Sequence, residues 1–161
     1  MEMEHRKMKK KKYILILGML CVLMLFGCAN TEKEEQQAQQ DIYFQIVDEI
    51  NNGDYSTAFS DMEKTYGNIE YTDSENGTNK MLIYRLYYDK QEKYEDEMNV
   101  LLEYLQIYDF REVLATEKAS ENKENVKFVI KRINEISEKV SDDTRNKVIK
   151  IVGQDILDSY K

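Results

Sequence analysis

The chain has no proline and no tryptophan, and only one histidine and two cysteines among its 161 residues. Each scarcity excludes something. His5 and Cys21 both lie in the first 27 residues, a segment read below as a leader. Residues 28–161 then hold no imidazole and a single thiol. Ser–His–Asp and Cys–His catalysis lose their base. Ordinary zinc sites lose their usual ligands. A disulfide has no second partner, so an exported domain of this composition depends on its core. The absence of proline fits helices joined by short polar turns. Carboxylates are plentiful, but with 31 Asp and Glu close pairs arise by chance, and nothing marks a pocket. We expect no enzyme activity, no cofactor and no metal. The acidic run Asp73-Ser74-Glu75-Asn76 fails the calcium-loop pattern, because Gly77 stands where a ligand belongs. A solvated turn is the expectation there.

The first twelve residues, MEMEHRKMKKKK, carry six Lys and Arg, and YILILGMLCVLMLFG (13–27) carries no charge. A basic stretch followed by a 7–15-residue apolar run is the form of a secretory leader. A spanning helix needs about 20 apolar residues. The uncharged run extends to Thr31, so a retained anchor is the alternative. In either case the lysine cluster stays inside and the remainder is exported. Leu25-Phe26-Gly27-Cys28 resembles the processing motif of bacterial lipoproteins: an aliphatic residue, a small one, Gly or Ala, then Cys. Phe26 departs from it in bulk. The resemblance implies cleavage after Gly27, diacylglycerol on Cys28, and a membrane-anchored protein on the extracytoplasmic side. Two acyl chains suffice physically, since each buried CH₂ contributes about 0.8 kcal/mol and stable anchoring takes two signals.

The leader takes six of the 23 Lys and Arg and two of the 31 Asp and Glu, which leaves −12 on residues 28–161. Such a surface repels nucleic acid phosphates and anionic headgroups. No nucleic acid partner is expected. Residues 29–40, ANTEKEEQQAQQ, hold no apolar stripe and read as a tether.

The division expected is therefore a leader at 1–27, lipidated Cys28 and tether at 28–40, and a helical domain at 41–161. In that domain Tyr43, Ile46, Val47 and Ile50 recur at helical spacing up to Asn51-Asn52-Gly53. Tyr55, Ala58, Phe59 and Met62 follow, with Gly67 as a left-handed cap. Residues 68–78 read as a loop. A third helix is predicted at 79–91, striped by Leu82, Ile83, Leu86 and Tyr87. A fourth starts near Tyr94, striped by Met98, Leu101, Leu102, Leu105 and Tyr108, and bends toward Phe110, Val113 and Leu114. A fifth carries Val126, Val129, Ile130, Ile133 and Val140. Ser141 with Asp142 and Asp143 opens a sixth, striped by Val148, Ile151, Val152 and Ile156. Six helices in three hairpins, an all-α domain, is the expectation.

Two of these hairpins share a pattern. NNGDYSTAFSDMEKTY (51–66) and KQEKYEDEMNVLLEYL (90–105) each set a tyrosine, Tyr55 or Tyr94, after a polar turn. Gly53-Asp54-Tyr55-x-x-Ala58 resembles the turn of tetratricopeptide repeats. In the second copy Glu92 and Glu97 stand in place of Gly and Ala, and the two Tyr lie 39 apart against the family's 34. The resemblance implies a short solenoid, with a small helical bundle as the alternative, and a concave face for a protein or peptide partner. By its register that face would hold Tyr43, Val47 and Ile50, and Leu82, Leu86 and Asp89. Covered by the third hairpin or the tether, these residues would be core instead. A scaffold or adaptor lipoprotein is the first functional expectation. A surface-exclusion or immunity lipoprotein that blocks another membrane protein is the alternative.

Overall fold

The structure, a computed structural model, describes residues 37–72, 74–107, 109–116 and 120–161. The leader, Cys28 and most of the tether lie outside the described residues. By its contacts the chain divides into two units, 1–42 and 43–161. Residues 37–42 of the first are helical, with the Gln37 amide donating to the Asp41 carboxylate at 2.9 Å.

The second unit is all-α, and its described residues contain no strand. Helix α1 covers 43–52, α2 Tyr55–Tyr66, α3 Glu75–Lys90 and α4 Tyr94–Gln106. Then come α5 (Phe110–Ala115), α6 (Glu121–Ile136), a 3-10 turn at Ser137–Lys139, α7 (Asp142–Val152) and α8 (Gln154–Ser159). Five starts are fixed by one device. Asp54, Ser74, Asp109, Ser120 and Ser141 each accept, through the side chain, the backbone N–H three residues on. Replacing such a cap by Ala costs about 1 kcal/mol. The sequence lets α4 sit at the centre. Its buried residues, among them Met98, Leu101, Leu102, Tyr104 and Leu105, cover most of its circumference, and it packs against α3, α6 and α7.

Three details differ from the expectation. Helix α3 begins at Glu75, four residues early, because Ser74 caps it and Gly77 is wanted inside it. A Cβ on Gly77 would fall 2.4 Å from the backbone N of Thr72, so only a bare Cα lets the incoming chain cross there. Gly67 is right-handed, φ −53°, rather than a left-handed cap. The predicted sixth helix is two, parted at Gly153, and α8 folds back on both α6 and α7.

The two turns singled out by sequence are superposable in their hydrogen bonds. Gly53 N–H donates to Ile50 O and Asp54 N–H to Glu49 O, at 3.1 and 2.9 Å. Glu92 N–H donates to Asp89 O and Lys93 N–H to Tyr88 O, both at 3.0 Å. Gly53 has φ 80° and Glu92 φ 56°, so the second turn forces a glutamate into the left-handed region that glycine takes freely. Each turn tyrosine reaches the end of the next hairpin's first helix. The Tyr55 hydroxyl donates to Lys90 O at 3.2 Å, and Lys139 Nζ donates to the Tyr94 hydroxyl at 3.1 Å.

Candidate functional site

In α3, Leu82, Arg85, Leu86 and Asp89 follow i, i+3, i+4 and i+7 and share one face. Leu82 and Leu86 are half-buried against the core, as are Tyr43 and Val47 of α1. Ile50 is fully buried and belongs to the core itself. The Arg85 guanidinium lies 5.5 Å from the ring centre of Phe128 on α6, and Phe128 is 41% exposed. Burial raises the pKa of the Tyr43 phenol, and the nearby Arg85 charge pulls against that rise. Helices α3 and α6 thus meet at Arg85 and Phe128, and the Arg85 charge acts on Tyr43 of α1.

Beneath this face is a buried ion cluster. Glu97 of α4 is 0% exposed. Arg132 of α6 grips its two oxygens as a fork, Nε to Oε1 at 2.7 Å and Nη2 to Oε2 at 3.0 Å. The same guanidinium donates to Asp89 at 2.5 Å and to Glu135 at 3.2 Å. Its pKa is raised, first by the hydrogen bond it donates to Glu97. Arg85 stands further off, 3.6 Å from Glu97 and 3.9 Å from Asp89. Its Nε is buried without a hydrogen-bond partner, as is Oε2 of Glu49. Asp89 is thus held by Arg132, and only its remaining surface faces out.

Sequence reasoning placed Tyr43, Val47, Leu82 and Leu86 at one surface, and the structure holds all four half-buried against the core. It missed Arg85, Phe128, Arg132 and the burial of Glu97. One signal was present. Glu97 occupies the position where the first hairpin has Ala58, which is itself fully buried, so the place demanded a buried residue. Arg132 gave none, because it lies beside the apolar stripe of α6 rather than within it.

The arrangement presents apolar and aromatic surface around a guanidinium. Among the described residues no cluster of three or more His, Cys, Asp and Glu is placed to hold a metal, and no helix is long and apolar enough to cross a membrane. Comparison of the chain with protein-family models, with curated proteins and with solved structures finds no match.

Proposed function

We propose that this chain is a membrane-anchored lipoprotein, acylated on Cys28, whose helical domain binds a segment of another protein without catalysing a reaction. The carrying observation is the row of partly exposed Tyr43, Val47, Leu82, Leu86 and Phe128 on the first helices. Apolar side chains left partly exposed on these helices are surface that gains by being covered. An anchored domain bearing −12 charge stands away from anionic lipid and meets its partner from the membrane surface.

The anchor is tested by labelling cells with a fatty-acid analogue. Label on the native protein and none on Cys28→Ser is the expected result; equal labelling overturns it. The binding face is tested by site-specific crosslinking in membranes from Phe128. A discrete adduct is expected, lost in the Leu82→Ala/Leu86→Ala double variant while the domain stays folded. No adduct, or one untouched by the double variant, removes this face as the site.

A further inference from the structure

The opposite side of α3 carries different chemistry. Lys80, Tyr84 and Tyr88 follow i, i+4 and i+8, about half a turn round the helix from Leu82 and Leu86. With Tyr71 from the preceding loop they form a tyrosine cluster. Glu63 of α2 reaches in and accepts the Tyr84 hydroxyl at 2.5 Å. Glu103 of α4 lines the same cavity as Tyr71, and the Asp96 charge of α4 acts on Tyr88. An open cavity of about 420 Å³ lies at one end, bounded by Asn68, Ile69, Glu70, Tyr71, Glu103 and Ile107 among others. Ile107 there is 41% exposed.

The cluster already holds one cation. Lys80 Nζ sits 4.9 Å from the ring centre of Tyr71 and 5.6 Å from that of Tyr84, and it donates to Ile69 O at 2.6 Å. Aromatic faces with carbonyl oxygens are an ammonium site. That single charge stands against exposed Glu63, Glu70, Asp96 and Glu103. The field on the tyrosines agrees. Burial pushes the Tyr71 phenol up, and Glu103 and Glu63 push it further. For Tyr88, burial leads and Asp96 follows.

The charge of the chain is also unevenly spread. Residues 41–116 hold 17 Asp and Glu against six Lys and Arg, whereas 120–161 hold eight against nine. The acid excess therefore lies in the hairpins that build this face.

We propose that the tyrosine face of α3, with the cavity between the 67–71 loop and the end of α4 beside it, is a docking site for a basic peptide segment of a partner protein. Its Lys or Arg side chains would lie over Tyr71 and Tyr88, between Glu63, Asp96 and Glu103. Both halves of the site select this occupant: ring faces attract cations, and the carboxylate rim steers them and repels acidic segments. The proposal concerns a face of α3 other than the Arg85 surface, and it stands or falls separately from it.

The test uses the full chain in detergent with a fluorescein-labelled octa-arginine peptide, read by anisotropy. Binding is expected, and it should weaken as salt rises. The Glu63→Gln/Glu103→Gln pair should weaken it about tenfold, as should Tyr88→Leu, with far-UV circular dichroism unchanged. An Asp142→Asn/Asp143→Asn pair, which removes as much charge from α7, should leave it within about twofold. No binding, or equal weakening by both carboxylate pairs, overturns the proposal. So does undiminished binding by Tyr88→Leu, which would reduce the site to general charge attraction.

Discussion

Glu92 is the residue at which the two turns differ in cost. At φ 56° its side chain adds strain of about 1 kcal/mol that a glycine would not have. Glu92→Gly is therefore expected to raise stability by about 0.5–1 kcal/mol, measured by urea unfolding. Gly53→Ala should lower it by a similar amount, although nothing lies within 4 Å of the added Cβ; the loss would come from φ alone. Opposite shifts at matched positions are the outcome that checks the equivalence of the turns. Glu97 makes the larger claim. Its removal by Glu97→Ala would leave Arg132 and Arg85 without their central carboxylate, and a broken buried pair costs about 3–5 kcal/mol. Unfolding midpoints of the variant decide it, and a change under about 1 kcal/mol would show that the cluster is well hydrated. The tyrosine, the turn and the buried position were legible in the pattern Gly53-Asp54-Tyr55-x-x-Ala58 and its copy. The glutamate's partner was not, because Arg132 is 35 positions away on a helix whose rotation only packing fixes.

At the scale of elements, legibility followed periodicity and failed where chain crossings set the boundary. The stripes of α4 and α6 read correctly from Met98 to Leu105 and from Val126 to Ile133. In α3 the apolar residues run nearly all round, and the buried set is Met81, Ile83, Tyr84 and Tyr87. Leu82 and Leu86 are only half-buried, and no period separates the two sets. The early start of α3 rests on Thr72 crossing Gly77, a contact outside any local signal. Ser74→Ala should cost about 1 kcal/mol as a lost cap. Element α7 is capped twice, by its own Ser141 and by Glu95 from α4, whose carboxylate accepts Ser141 N–H and the Thr144 hydroxyl, both at 2.5 Å. Those bonds, Thr144 first, hold the Glu95 pKa below its usual 4.5. A carboxyl depressed in the folded state stabilises above its unfolded pKa and loses that contribution as pH falls through the folded value. Melting temperature should therefore drop on acidification below about pH 4.5, and Glu95→Gln should drop less steeply over the same range. Parallel acid limbs for the two proteins would show that the cap carries no linkage.

Residues 43–161 are a series of helical hairpins packed on one another, and the seats between them are unequal. In Ala58 the first hairpin buries a methyl group; in Glu97 the second buries a charge that Arg132 of the next hairpin grips by hydrogen bonds and its own Arg85 supports from 3.6 Å. The missing proline bears on the same scale. No slow isomerisation of tens of seconds can interrupt refolding, so a double-jump experiment on residues 43–161 should show no phase that grows with time spent unfolded. The unequal seats carry a consequence for copy number. A designer could lengthen this protein by duplicating the first hairpin, since its neutral seat accepts any close-fitting successor. Duplicating the second would bury another carboxylate in every added unit with only its own Arg85, 3.6 Å away, in place of the Arg132 fork. The Glu97 seat thus ties the second hairpin to a successor that brings an arginine to the place of Arg132.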